Sequence, residues 1–147
     1  MKHNESEIED FLKLAQKLKV DEARVISPCV RTLKQGKEFL PINEKYWIYD
    51  KTAFEKGVLR PQKMLSNRCN WIYLSTVILC NGDIVPCCRD TKGDFIMGNI
   101  FKEDFKDVWN GPKYLKFRKQ VATQQKELSI CQLCEGFELP PLYLSKN

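Results

Sequence analysis

Apolar positions recur at helical spacing near both ends of the chain and at strand spacing between them. Ile8, Phe11, Leu12, Ala15 and Leu18 fall on one face of a helix over residues 5–19. Ser6 and Glu9 have the form of a capping box, which would satisfy the orphan N–H groups at the helix start. Asp21 to Ser27 reads as a turn into a short strand. A helix followed by a strand is half of a βαβ unit, and no strand stands ahead of it. Residues 1–28 therefore read as an αβ piece of a larger parallel sheet.

Residues 29–68 show no periodicity and are punctuated by Gly36, Pro41, Gly57 and Pro61. They read as a linker with room for one short helix, in which the run Tyr46-Trp47-Ile48-Tyr49 packs on a neighbour. A loop of that length suits a bridge between domains better than a free-standing fold. Residues 69–88 predict a β-hairpin. Trp71 to Leu79 is rich in β-branched and aromatic residues, Asn81-Gly82 supplies the turn, and Ile84-Val85 begins the return strand. After a loop through Gly93 and Gly98, Phe105 to Trp109 predicts a short helix, broken by Gly111-Pro112. Tyr114, Phe117 and Val121 mark one face of a second helix to about Gln124. Pro140-Pro141 lead into a tail. The expected class is α+β: a small β-hairpin plus helices.

Composition narrows the chemistry. Apolar residues are 43% and charged residues 29% of 147 positions, as in ordinary soluble domains. No apolar run approaches the ~20 residues that cross a bilayer. Met1 to Glu5 is polar and shows no secretory h-region. The expectation is a cytoplasmic protein with no membrane partner. Its seven cysteines are then read as metal-binding rather than disulfide-forming, and their odd number fits that. The net charge of +5 is spread among acids, with only a modest basic stretch from Lys113 to Lys119, which argues against a nucleic-acid footprint. His3, the single histidine, precedes the first helix and offers no basis for histidine catalysis.

Four cysteines stand out as Cys69-x17-Cys87-x43-Cys131-x2-Cys134. Four thiolates close the coordination of an iron–sulfur cluster or a structural zinc. A hairpin brings Cys69 and Cys87 together at its open end, because paired strands run ~4.8 Å apart. The Cys-x-x-Cys hook puts two more sulfurs on one side of the chain. Cys29 reads as a buried thiol and Cys80 as a strand residue at the closed end. Cys88 lies on the opposite face from Cys87. Trp71, Trp109 and Phe117 read as core residues, and Arg89-Asp90 as a surface ion pair.

The order Cys69, Gly82-x4-Cys87, Gly98-Asn99-Ile100, Val108-Trp109-Asn110, Phe117-Arg118, Cys131-x2-Cys134 resembles the auxiliary-cluster domain of radical SAM enzymes, the SPASM family in its short "twitch" form. A full SPASM domain carries further cysteines and two clusters. Here only Cys131 and Cys134 follow Cys87 and Cys88, so the resemblance implies one auxiliary [4Fe-4S] cluster on Cys69, Cys87, Cys131 and Cys134. Its implied roles are electron transfer, substrate positioning or structural support.

Radical SAM chemistry also needs a Cys-x3-Cys-x2-Cys loop, and no cysteine here has partners at +4 and +7. The expectation is therefore a fragment, or one half of a split enzyme, inactive alone. Its partner would be a separate or missing barrel half. S-adenosylmethionine would bind, and a peptide or small-molecule substrate would react, only in the complete enzyme. The expected organisation is 1–28 barrel remnant, 29–68 linker, 69–137 cluster domain and 138–147 tail. The alternative is a free-standing four-cysteine zinc module that binds nucleic acid or protein, although zinc ribbons usually present two Cys-x-x-Cys knuckles.

Overall fold

Helix α1 (Ile8–Lys17) follows a 3-10 turn over Glu5–Glu7 and buries Ala15, with Ile8 and Leu12 half-buried. Phe11 and Leu18 lie on the exposed side, so the apolar face is narrower than its spacing predicts. No side-chain cap forms from Ser6. Instead Glu5 accepts the backbone N–H groups of Ile42 and Asn43, at 2.7 and 2.8 Å. These details come from a computed structural model, which describes residues 1–63 and 67–136 and the backbone of Leu144–Ser145. The chain divides into two compact units, Met1–Lys63 with Glu138–Asn147, and Met64–Phe137. Among the described residues no helix is long and apolar enough to cross a membrane.

In the first unit, strand β1 (Glu22–Ala23) pairs antiparallel with the C-terminal β5 (Leu144–Ser145). The aperiodic stretch after it holds two short helices, α2 (Leu33–Phe39) and α3 (Lys51–Glu55). Each is started by a side chain. Thr32 accepts the Gln35 N–H, and Asp50 accepts the Ala53 N–H. Tyr49 is fully buried, and its hydroxyl both donates to the Val30 carbonyl (2.7 Å) and accepts from the Val30 N–H (2.8 Å). Trp47 meets the Phe54 ring edge-on, and a Cβ at Gly36 would lie 2.4 Å from that ring. The aromatic run is thus used within its own unit.

The second unit is a three-stranded antiparallel sheet packed with three helices. Residues Trp71–Leu74 form a helical turn, α4, where side-chain propensity predicts strand. Strand β2 (Val77–Ile78) pairs with β3 (Asp83–Val85), Val77 opposite Val85. The turn between them is a type I turn with a bulge glycine. Gly82 takes φ +84°, and its N–H reaches the Leu79 carbonyl. Strand β4 (Gly98–Asn99) adds to the free edge of β3. A Cβ at Gly98 would sit 2.6 Å from Val108, so glycine is what lets the next helix close on the sheet. Helix α5 (Phe105–Asn110) is capped by Asp104, and α6 (Pro112–Gln124) starts with proline at its first position. The α6 face of Tyr114, Phe117 and Val121 is buried against Ile72, Ile84, Met97 and Val108, as its spacing predicts. Arg118 ties the helices together. It donates to the carbonyls of Ile72 and Trp109 and lies over the rings of Trp109 and Tyr114.

Candidate metal centre

The cysteines reach their places by four short routes along the core of the second unit. Cys69 precedes α4, and Cys87 follows β3. After α6 a 3-10 turn over Gln125–Glu127 redirects the chain. Leu128 then accepts the Cys131 N–H (2.8 Å), and Cys131 accepts the Cys134 N–H (3.0 Å), which closes the Cys-x-x-Cys hook. The pairing of Cys69 with Cys87 does not come from a simple hairpin, since α4 intervenes. The result is nonetheless one shared wall. All four cysteines line a single cavity of about 80 Å³, together with Ile72, Phe117, Val121 and Ile130. One water needs only ~10–15 Å³, so the space suits a group of several atoms. Among the described residues, no set of three or more His, Cys, Asp or Glu side chains is drawn together to hold a single metal ion. The four thiols line this cavity, and all are free of disulfides.

The cavity wall controls protonation. Burial pushes the Cys87 thiol up to about 11, while the N–H groups of Arg89 and Asp90 pull the other way. Burial pushes Cys131 up to about 12, and negative charge on Cys87, Cys134 and Cys69 adds to the rise. Thiolates crowded here repel one another, and burial disfavours each charge. A positively charged group within the cavity reverses both effects. The donor set therefore fits a cationic iron–sulfur core: soft sulfur ligands, apolar cover, and a void larger than an ion.

The remaining residues depart from their sequence-based expectations. Asp90 is not half of a surface ion pair. It is buried, and its two carboxylate oxygens accept the N–H groups of Asp94 and Phe95, each at 2.8 Å, bracing the loop after Cys87. Cys29 is exposed rather than buried, and Cys80 lies exposed in the hairpin turn rather than in a strand. Cys88 is exposed yet contributes to the cavity wall, as does Arg89. Trp71 and Phe117 line the cavity, whereas Trp109 packs against the core, stacked with Phe105 and tilted to the Tyr114 ring. One residue that sequence reasoning missed is Gln125. It is 1% exposed, lines the cavity, and its Oε1 has no hydrogen-bond partner among the described residues. No sequence signal marks it.

Residues 69–135 match the family model of the SPASM iron-sulfur cluster-binding domain. One curated relative is the S-adenosyl-L-methionine-dependent 2-deoxy-scyllo-inosamine dehydrogenase of Niallia circulans. It is 30% identical over 61 residues, which cover 41% of this chain and 24% of that enzyme. The matched stretch thus spans about a quarter of the relative's length. No solved structure matches the chain.

Proposed function

We propose that Cys69, Cys87, Cys131 and Cys134 hold one [4Fe-4S] cluster that serves a radical SAM enzyme as its auxiliary centre, a reading supported by the match of residues 69–135 to the SPASM iron-sulfur cluster-binding domain. The observation that carries this reading is the opening of these four cysteines onto one apolar cavity. When bound, such a cluster supplies one-electron redox chemistry. The chain's own residues do the rest. Cys87 and Cys131 release their protons on ligation, so loading strengthens as pH rises. Ile72, Phe117, Val121 and Ile130 keep water from the sulfurs, which lowers the local dielectric and tunes the potential. Asp90 fixes the loop that presents Cys87.

The named relative uses S-adenosyl-L-methionine in a dehydrogenation. By that likeness, this chain's cluster serves an enzyme using the same co-substrate, with electron transfer as its first role. The cleavage of S-adenosylmethionine belongs to a barrel half, in the same polypeptide or a separate one. Four cysteines around one cluster leave no open iron for it.

Anaerobic reconstitution tests the reading. We expect about four iron and four sulfide per chain, the composition of the cubane form. A colourless protein that retains stoichiometric zinc instead overturns it. Reduced, loaded protein given S-adenosylmethionine alone is expected to form no 5′-deoxyadenosine above a cluster-free control. Steady turnover would mean that one of the four cysteines is not a ligand.

A further inference from the structure

Gln125 lines the cavity with a buried side-chain oxygen that has no hydrogen-bond partner among the described residues. Its side chain is buried and lines the same cavity as Cys131, Phe117 and Val121. A buried carboxamide oxygen without a partner is costly, and native interiors rarely keep one without a reason. The backbone holds the residue firmly in place. The Gln125 N–H donates to Asn67 Oδ1 at 3.1 Å, and Asn67 Nδ2 donates to the Thr123 carbonyl at 3.4 Å. Asn67 itself takes a positive φ of 58°, two residues ahead of Cys69. The same asparagine thus joins the approach to the first cysteine with the turn that leads to the last two.

We propose that the Gln125 carboxamide is a hydrogen-bond donor to the cluster sulfurs and raises the cluster's reduction potential. The inference rests on the cluster reading above. Oxygen and nitrogen of a carboxamide are near-isosteric, so a half-turn of the amide exchanges them without changing its shape. With anionic sulfur in the cavity, the orientation that offers N–H₂ to sulfur is the favourable one. This unit already contains one such contact, the Gly136 N–H on Cys134 Sγ at 3.3 Å. Hydrogen bonds to the sulfurs stabilise the more negative, reduced state and so shift the potential upward. Gln125 then sets how readily the centre accepts an electron, without acting as a ligand.

The test is a redox titration of reconstituted full-length chain, wild type against Gln125→Leu and Gln125→Glu. Gln125→Leu is expected to keep its four iron and its absorption spectrum. At a fixed potential it should hold about tenfold less of the reduced form, ~59 mV for a one-electron couple. Gln125→Glu, which removes the donor and adds negative charge, should shift further the same way. A Gln125→Leu cluster that titrates with the wild type overturns the proposal, even if the variant is less stable. Should neither variant retain a cluster, wild type labelled with 15N-glutamine decides. A hyperfine coupling between the reduced cluster and side-chain 15N supports the bond, and its absence overturns it. Failure of wild type itself to bind a cluster is a different result, and it overturns the cluster reading on which this one stands.

Discussion

The first unit closes around a tyrosine, the second around a continuous apolar wall. In the first, the buried apolar side chains among the described residues are small or medium in size, such as Ala15, Ala23, Val30, Leu40 and Ala53, apart from Tyr49. Its order depends on single polar contacts: Tyr49 on Val30, Glu5 on Ile42 and Asn43, Asp50 on α3. In the second, Ile72, Ile84, Met97, Val108, Tyr114, Phe117, Val121, Leu128 and Ile130 form one cluster, and Cys131 is part of it. The difference teaches where a redox site can be held. A cavity lined by thiols stays open only if the wall behind it does not collapse, and a close-packed wall of large side chains resists that.

The largest expected effect separates cysteines of the two settings. Cys69→Ala, Cys87→Ala, Cys131→Ala and Cys134→Ala should each lose most of the bound iron, since each removes one of four ligands. Cys29→Ala in the first unit, Cys80→Ala in the hairpin turn and Cys88→Ala at the cavity rim should keep it. Iron and sulfide analysis after anaerobic reconstitution reads the outcome. If Cys88→Ala, rather than Cys87→Ala, empties the site, the ligand assignment is wrong.

Next come the supports themselves. Phe117→Ala removes a ring that both backs the cavity and packs against Phe95. It should cost about 3–5 kcal/mol in urea unfolding of the cluster-free protein. Tyr49→Phe keeps the ring but orphans the buried N–H and carbonyl of Val30, at about 1–3 kcal/mol. Phe117→Ala should also weaken cluster retention, and Tyr49→Phe should not. Equal loss of iron in both would mean that the first unit shapes the site.

The same contrast explains what could be read from sequence. The buried face of α6 was legible because thirteen residues give a 3.6-residue period room to show, and Gly111-Pro112 marks its start. Helices α2 and α3 are too short for a period. Their signals were the caps, Thr32 with Gln35 and Asp50 with Ala53, while the similar-looking Ser6 and Glu9 form no cap. Trp71-Ile72-Tyr73-Leu74 has strand propensity, yet it folds as a helical turn. Burial of Ile72 and the Arg118 bond to its carbonyl outweigh a local preference worth little over four residues. Strand β4 is two residues, one of them glycine, and has no pattern to read. The spacing and the family resemblance together singled out four cysteines that the fold places on one cavity wall. Asp90 and Gln125 were not legible, since a buried polar side chain looks in sequence like an exposed one.

The smallest effect lies at the two ends of the pH scale and should divide the units. Asp50 is held below its ordinary value, first by the Ala53 N–H and then by Arg60. A lowered carboxyl contributes stability above its unfolded value of 3.8, and that contribution is lost as pH falls through the folded one. Acid should therefore weaken the first unit slightly, since Asp50 is only half-buried and solvent screens its charge. Cys87 and Cys131 are raised, so the sign is opposite. Their contribution is complete below the unfolded value of 9.0 and is lost as pH rises toward about 11 and about 12. Alkali should weaken the second unit, where Cys69, Cys88, Cys134 and Arg89 are the charged or titratable groups acting on that pair. Amide hydrogen exchange reads the units separately, through α3 on one side and α6 on the other, with rates corrected for the intrinsic pH dependence. In cluster-loaded protein the alkaline step in α6 should vanish, because ligated sulfurs carry no proton to lose. An alkaline step of equal size with and without the cluster would assign it to groups other than these cysteines.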